Sequence, residues 1–240
     1  MANGVNDDHF WKDLLGSTAT FTTICQFLSG MFTVHRIVVK QGGSVGDLSP
    51  VPYLMGVVGC GVWLLYGHLR NDATVVNCNI VGTLLNVFYV LVFMKFNVIK
   101  TLIYRQVLCA LVFLSLTLVY VHTWDSGALV HNGDSPLVQN IGLLCIVMGI
   151  LGCASPLVSL KEVMRTKSTD MLPFPLILSM FLVCTQWWIY GILAKDPYMQ
   201  FPNFMGTCIA LLQLGLFCVY SSTSPNKGLN ADYKKLHNVI

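Results

Sequence analysis

Charged residues are spaced along the chain so that they leave seven long uncharged windows. These windows cover residues 14–35, 48–69, 73–94, 106–124, 135–160, 171–194 and 197–226. An α-helix rises about 1.5 Å per residue, so roughly 20 apolar residues cross about 30 Å of hydrocarbon. Each window is close to that length or longer. The pattern predicts an all-α membrane protein with seven transmembrane helices, called spans 1 to 7 below.

The composition agrees with this class. Hydrophobic residues make up 55% of the 240 residues and charged residues only 10%, whereas soluble domains carry about 25% charged residues. This excludes an ordinary cytosolic enzyme, a disordered regulator and a nucleic-acid binder. All nine cysteines fall inside the windows, where thiols are expected to be small packing residues. No disulfide framework, metal site or cofactor is therefore expected.

The basic residues are distributed unevenly between the two sides of the predicted membrane. One side carries Lys12, Arg70 and Lys195, and the other carries Arg36, Lys40, Lys95, Lys100, Arg105, Lys161, Arg165, Lys167, Lys227, Lys234 and Lys235. Basic residues in short loops favour the cytoplasmic side. This bias predicts an amino terminus outside and a carboxyl terminus in the cytoplasm.

The chain contains an internal repeat at a constant offset of 124 residues. Trp63, Tyr66, Gly67, Asp72, Asn79 and Gly82 recur as Trp187, Tyr190, Gly191, Asp196, Asn203 and Gly206. Three helices reverse the direction of the chain, so span 4 is needed to give both copies the same orientation. The repeat predicts two parallel three-helix units joined by an inversion linker helix, an architecture typical of transporters.

These boundaries divide the chain into six predicted segments. They are an extracellular N-terminal segment (1–17), the first repeat (18–97), the linker helix (98–124), an outer loop (125–134), the second repeat (135–221) and a cytoplasmic tail (222–240).

The repeated polar and aromatic residues are expected at one depth in the membrane. Trp63 lies about 9 Å below the outer end of span 2, and Asn79 about 10 Å below the same surface. The repeat places Trp187 and Asn203 in the same way. Indole rings stack on apolar faces and carboxamides bond hydroxyls, so we predict a pocket for a neutral polyol. The alternatives are interfacial or packing tryptophans and asparagines that only join helices.

The windows also indicate what kind of transport to expect. They contain no carboxylate that could relay protons or coordinate an ion at mid-membrane, and no catalytic motif is present. A facilitator is therefore favoured over a coupled pump or an enzyme. Pro52 and Pro173 open spans 2 and 6, whereas Pro156 lies inside span 5 and predicts a kink there. These prolines lie toward the cytoplasmic half.

The paired motifs resemble those of the SWEET sugar transporters over about residues 18–221. The motifs are Pro-Tyr or Pro-Phe at the start of the second helix of each repeat, Trp-x-x-Tyr-Gly, Asp and Asn-x-x-Gly. The resemblance implies bidirectional, uncoupled passage of mono- or disaccharides by alternating access. It implies a small neutral, glucose-like sugar as partner, residence in the lipid bilayer of the plasma membrane or Golgi, and no nucleic-acid partner. Small residues on several helices are compatible with homo-oligomers.

The resemblance also implies roles for individual residues. The substrate pocket would be formed by Asn79, Asn203, Trp63, Trp187, Gly59 and Val183. The outer gate would be formed by Tyr66, Gly67, Tyr190, Gly191, Asp196 and Pro202. The inner gate would use Pro52, Pro156 and Pro173. The family has a fourth proline, which this chain lacks. Aligning Phe27-Leu28-Ser29 with the family places Gly30 at that position, whereas keeping the repeat offset places Phe32 there.

Two other classes of protein remain as alternatives. A proton-coupled PQ-loop carrier of amino acids also has seven helices, but it needs a titratable carboxylate in the membrane, and Pro52-Tyr53 and Pro173-Phe174 lack the Pro-Gln pair. A seven-helix receptor has no need of the duplication.

Overall fold

Helices account for the regular structure of the described residues, which in this computed structural model are 2–124, 135–169 and 172–220. They are α1 (Ala2–Leu28), α2 (Gly30–His35), a short π-helix (Arg36–Lys40), α3 (Val51–Leu69), α4 (Ala73–Phe96), α5 (Lys100–Thr123), α6 (Pro136–Gly152), α7 (Ala154–Thr166), α8 (Phe174–Leu193) and α9 (Pro197–Val219).

Six segments of the described chain are long and apolar enough to cross a membrane. They are α3, α4, α5, α8, α9 and the continuous stretch Pro136–Thr166 formed by α6 and α7. The N-terminal α1, with α2 and the π-helix, supplies the seventh helical segment. The predicted all-α membrane fold is confirmed. One boundary differs, because α1 already begins at Ala2 and so includes the polar residues before the first window. The predicted outer loop (125–134) and all residues after Tyr220, including the predicted cytoplasmic tail, lie outside the described residues.

The two repeats pack in equivalent ways. In the first repeat α4 contacts both α1 and α3, and in the second α9 contacts both α6 and α8. Between the repeats α1 packs on α8, and α3 packs on α6. These two contacts correspond, because α6 and α8 are the repeat counterparts of α1 and α3. The linker helix α5 packs against α3 and α4. The two repeats therefore face each other through α1, α3, α6 and α8.

The turn from α3 to α4 has the same backbone geometry as the turn from α8 to α9. Asn71 has a φ of 53° and Lys195 a φ of 52°. The N–H groups of Asp72 and Asp196 donate to the carbonyls of Gly67 and Gly191, both at 2.9 Å, as in a Schellman motif. Asparagine tolerates the left-handed region better than lysine does, but the turn forms with either residue. The repeat thus extends to backbone detail.

The first and fifth spans are interrupted at equivalent positions. The break between α1 and α2 falls at Ser29, and the break between α6 and α7 at Cys153, which is 124 residues later. Pro156 follows its break by three residues, and Phe32 occupies that place after Ser29. Gly30 is buried against the ring of Tyr89, which a Cβ there would overlap. The first repeat therefore breaks its helix without a proline.

Candidate functional site

A cavity of about 250 Å³ lies between the two repeats. It is lined by Trp63 and Asn79 from the first repeat and by Trp187 and Asn203 from the second. The repeat thus brings the four residues singled out in the sequence into one cavity. Other lining residues include Thr23, Cys78, Gly149, Met180, Cys184 and Pro202.

The two asparagines present their carboxamides in the same way. Asn79 Nδ2 donates to the Val75 carbonyl at 2.8 Å, and Asn203 Nδ2 donates to the Met199 carbonyl at 2.9 Å. Each bond joins residues four apart on one helix, so it fixes the side chain without using the partner repeat. A carboxamide has two N–H groups and one oxygen. Each asparagine therefore keeps an N–H and its Oδ1 for a ligand.

The two tryptophans are held by tyrosines one turn away. Trp63 packs edge-to-face on Tyr66 with ring centroids 5.7 Å apart, and Trp187 packs on Tyr190 with centroids 5.5 Å apart. Their hydrogen bonding differs. Trp187 Nε1 donates to the hydroxyl of Thr23 at 2.9 Å. Thr23 was not identified from the sequence, because no repeated motif marks a single threonine in span 1.

Two reciprocal hydrogen-bond pairs close one end of the molecule. This end carries the α3–α4 and α8–α9 turns and is called the turn end below. The Tyr66 hydroxyl donates to the two carboxylate oxygens of Asp196 at 2.8 and 2.9 Å. The Tyr190 hydroxyl lies 2.9 Å from both carboxylate oxygens of Asp72. Each tyrosine thus reaches the aspartate of the other repeat. Both pairs lie between the cavity and this end.

The aspartates are also fixed within their own repeats. Asp72 accepts from the N–H groups of Thr74 and Val75, and Asp196 caps α9 in the same way. Charged partners then differ between the repeats. Arg70 Nε lies 3.9 Å from Asp196 Oδ2, and Lys12 Nζ lies 4.0 Å from Asp72 Oδ2. Both basic groups stand at the limit of ion-pair distance, whereas the tyrosine bonds and helix caps are 2.8–3.2 Å long, so the latter are the closer interactions of the two carboxylates.

The other predicted outer-gate residues have packing roles. A Cβ at Gly67 would lie 2.9 Å from Val75 Cγ1, and one at Gly191 would lie 3.1 Å from Gln200. Both glycines therefore allow their helix pairs to approach closely. Pro202 lies in the cavity wall, where it contacts Gly149 of α6.

Gly59 and Val183 do not line the cavity. Val183 is buried in an apolar cluster that includes Ala19 and Trp187, and a Cβ at Gly59 would meet no atom within 4 Å. Four residues along a helix correspond to a rotation of about 40° past one full turn. This small rotation alone does not remove a residue from a face; in α8 it is the packing of Val183 with Ala19 of α1 that takes it out of the lining, whereas the next residue, Cys184, lines the cavity.

The predicted inner-gate prolines lie at the opposite end. Pro52 and Pro173 are exposed at the starts of α3 and α8. The Pro156 carbonyl accepts from Gln213 Nε2 at 3.1 Å. The repeat counterpart of Gln213 is Tyr89, whose hydroxyl donates to the Phe27 carbonyl at 2.9 Å. Both helix breaks are therefore held by a buried side chain from the third helix of their own repeat.

The cavity is chemically neutral. None of its lining residues is Asp, Glu, Lys, Arg or His. In the described part of the chain, no group of three or more His, Cys, Asp or Glu residues could hold a metal ion. Two indoles, two carboxamides and a threonine hydroxyl are suited to an uncharged ligand with several hydroxyl groups.

Comparisons with known proteins agree with this chemistry. Residues 13–101 and 139–225 match a family model described as "Sugar efflux transporter for intercellular exchange". The chain is 38% identical to sugar transporter SWEET1 of Drosophila pseudoobscura pseudoobscura, over 88% of this chain and 91% of that protein. It is 34% identical to bidirectional sugar transporter SWEET7 of Arabidopsis thaliana, over 87% of this chain and 80% of that protein.

A solved structure has the same fold. The structure of a eukaryotic SWEET transporter superposes with a TM-score of 0.75 at 24% identity, over 88% of this chain and 99% of that chain. The two matched segments of the family model coincide with the two repeats and leave out most of the linker helix. The chain belongs to the SWEET family of sugar transporters.

Proposed function

We propose that this protein is a uniporter that carries a neutral monosaccharide in both directions by alternating access. The observation that carries the proposal is the uncharged cavity between the repeats, with an indole and a carboxamide from each repeat. The names of the relatives, sugar transporter and bidirectional sugar transporter, support the same substrate class. A glucose-like pyranose has both the C–H faces that indoles stack on and the hydroxyls that carboxamides bond.

The size of the cavity favours a monosaccharide over a disaccharide. Its volume is about 250 Å³, which lies below the roughly 300–1,000 Å³ of pockets that hold drug-sized ligands. The cavity is also walled on one side by Pro202 and Gly149, which are in contact, so widening it requires helices α6 and α9 to separate.

The absence of charge in the cavity favours uncoupled transport. Proton- and ion-coupled carriers use ionisable groups within the membrane. The acidic residues nearest this cavity, Asp72 and Asp196, instead lie at the turn end, where they cap α4 and α9 and accept hydrogen bonds from tyrosines. A proton-coupled carrier of the PQ-loop type is the alternative.

The asymmetric closure of the cavity supports alternating access. The tyrosine–aspartate pairs close the turn end, and the lining of the cavity reaches Met180, about 10 Å from Trp187 toward the opposite end of α8. Given the predicted orientation, this is a form closed on the outside. The helix breaks at Ser29 and Cys153 are proposed as the inner hinges. Residence in the plasma membrane or Golgi, with the amino terminus outside, completes the proposal.

The decisive experiment is uptake of labelled glucose into proteoliposomes that contain no sugar at the start, with and without a pH gradient. We expect uptake that equilibrates and is insensitive to the gradient. Asn140→Ala is a control variant that should transport like the parent, because the exposed Asn140 amide lies outside the cavity and bonds only the hydroxyl of the half-buried Tyr120, at 2.7 Å. Accumulation above the outside concentration, abolished by a protonophore, would support the proton-coupled alternative. The absence of glucose uptake would reject the proposal.

A further inference from the structure

Thr23 of α1 makes a buried hydrogen bond to one of the two cavity tryptophans. Its hydroxyl oxygen accepts from Trp187 Nε1 at 2.9 Å and donates to the Ala19 carbonyl at 2.7 Å. A hydroxyl has one proton, so the bond to Ala19 leaves the oxygen oriented as an acceptor for the indole. Thr23 is 8% exposed and Trp187 is 9% exposed. The bond crosses from the first repeat to the second.

The equivalent bond is missing at the other tryptophan. The repeat counterpart of Thr23 is Val147, which has no hydroxyl and is 49% exposed. Trp63 packs on Tyr66 and on the apolar cluster around Val62. Its indole N–H has no hydrogen-bond partner among the described residues. The two indoles, equivalent by repeat, therefore differ in what they can offer a ligand.

We infer that Thr23 is a positioning residue that fixes the Trp187 ring as an apolar platform, and that Trp63 supplies the indole N–H that bonds a sugar hydroxyl. This inference rests on the proposed function and deepens it. A ring whose N–H is bonded within the protein interacts with a pyranose through its face, irrespective of the hydroxyl pattern. A ring with a free N–H distinguishes a hydroxyl from a hydrogen at one position of the sugar. The pocket thus has one stacking side and one side that senses hydroxyls.

The hydrogen bond itself can be tested without any sugar. In purified full-length protein labelled with ¹⁵N-tryptophan, Trp187→Phe identifies the Trp187 indole signal by its loss. We expect Thr23→Val to shift that proton signal upfield, as when a hydrogen bond is lost, and Thr23→Ser to restore it. Thr22→Val is the matched control, because the neighbouring Thr22 hydroxyl bonds Gln186 and lines no part of the cavity. An unchanged Trp187 signal in Thr23→Val would overturn the inference.

The role of Thr23 in substrate binding is tested by a double-mutant cycle. We expect Thr23→Val to raise KM for glucose about 2- to 10-fold, the range for loss of one hydrogen bond, with Thr22→Val near the parent value. In a Trp187→Phe background, which has no N–H to hold, Thr23→Val should have no further effect. Additive effects would mean that Thr23 acts independently of Trp187, and would overturn the positioning role.

The difference between the two tryptophans is tested with monodeoxyglucoses. We expect the parent to transport at least one monodeoxyglucose less well than glucose. In Trp63→Phe this difference should fall to within about twofold, whereas Trp187→Phe should keep it. Both variants should bind sugar more weakly than the parent. The opposite pattern, or the same pattern in both variants, would overturn the assignment. If the parent carries no glucose, the proposed function fails, while the indole signals still test the Thr23 bond separately.

Discussion

Replacing Tyr66 with phenylalanine removes one of the two hydrogen bonds that close the turn end. The Tyr66 hydroxyl bonds the carboxylate of Asp196 across the repeat interface. The ring contacts of Tyr66 with Trp63 and Tyr198, at centroid distances of 5.7 and 6.0 Å, are available to phenylalanine as well. The substitution therefore deletes the bond between repeats and leaves the packing in place.

The expected magnitude follows from the charge of the acceptor. Hydrogen bonds to charged groups contribute about 1.5–3 kcal/mol. Asp196 keeps its bonds to the N–H groups of Tyr198 and Met199 and its neighbour Arg70, so it is not left unpaired when the hydroxyl is lost. Only the form closed at the turn end makes the Tyr66 bond. We expect the equilibrium to shift toward the form open at that end by about 10- to 150-fold.

Labelling of Cys78 by a membrane-impermeant thiol reagent measures this shift. Cys78 lines the cavity and is 2% exposed, so a reagent added at the turn end reaches it only after that end opens. Tyr66→Phe should be labelled at least about tenfold faster than the parent, with Cys78→Ser identifying the signal. Tyr53→Phe is the matched control, since the Tyr53 hydroxyl bonds only Thr33, within the first repeat, at 2.8 Å.

Equal labelling of Tyr66→Phe and Tyr53→Phe would refute the reasoning. The repeat provides an internal check as well, because the Tyr190 bond to Asp72 has the same geometry. Tyr190→Phe should therefore open the turn end by a similar factor, and a clear difference would assign the closure to one pair alone.

Three further sets of substitutions test the cavity, the hinge and the helix packing. Asn79→Ala or Asn203→Ala should weaken glucose binding by roughly 1–3 kcal/mol and leave membrane insertion unchanged. Counterflow at the parental rate in either variant would mean that these asparagines are only packing groups. Pro156→Ala should retain glucose binding but slow counterflow, because the helix regains a backbone hydrogen bond. Loss of both binding and counterflow would indicate misfolding. Retention of both would mean that Pro156 is only a tolerated kink. Gly149→Ala should lower the free energy of unfolding by about 1–3 kcal/mol, because its Cβ would lie 2.5 Å from Pro202 Cβ. Gly215→Ala is the control, since a Cβ there meets no atom within 4 Å. A thermal-unfolding assay compares the two variants.

The number of spans and the repeat could be predicted from the sequence because both depend on local properties. Lipid excludes charged side chains over a fixed thickness, so the uncharged windows locate the helices. Motif spacing along a helix gives depth directly, which is why Trp63 and Asn79 could be placed level with each other. The offset of 124 residues then gives the second repeat without further information.

The faces of the helices were decided only by the tertiary structure. In a membrane both the lipid-facing and the buried sides of a helix are apolar, so the sequence does not distinguish them. Phe88 is 43% exposed while the adjacent Tyr89 is 2% exposed, a difference set by packing against α1 and α2. For the same reason the sequence did not show that Gly59 and Val183 turn away from the cavity.

Partners across the repeat interface also required the tertiary structure. Nothing in the motif Trp-x-x-Tyr-Gly shows that Tyr66 bonds Asp196 of the other repeat rather than Asp72 of its own, since both aspartates lie at the same end. The bond from Thr23 to Trp187 joins residues 164 positions apart. Sequence and lipid determined how deep each side chain lies, whereas contacts between distant helices determined which side chain it meets, because side-chain packing and not hydropathy sets how helices rotate against each other in the membrane.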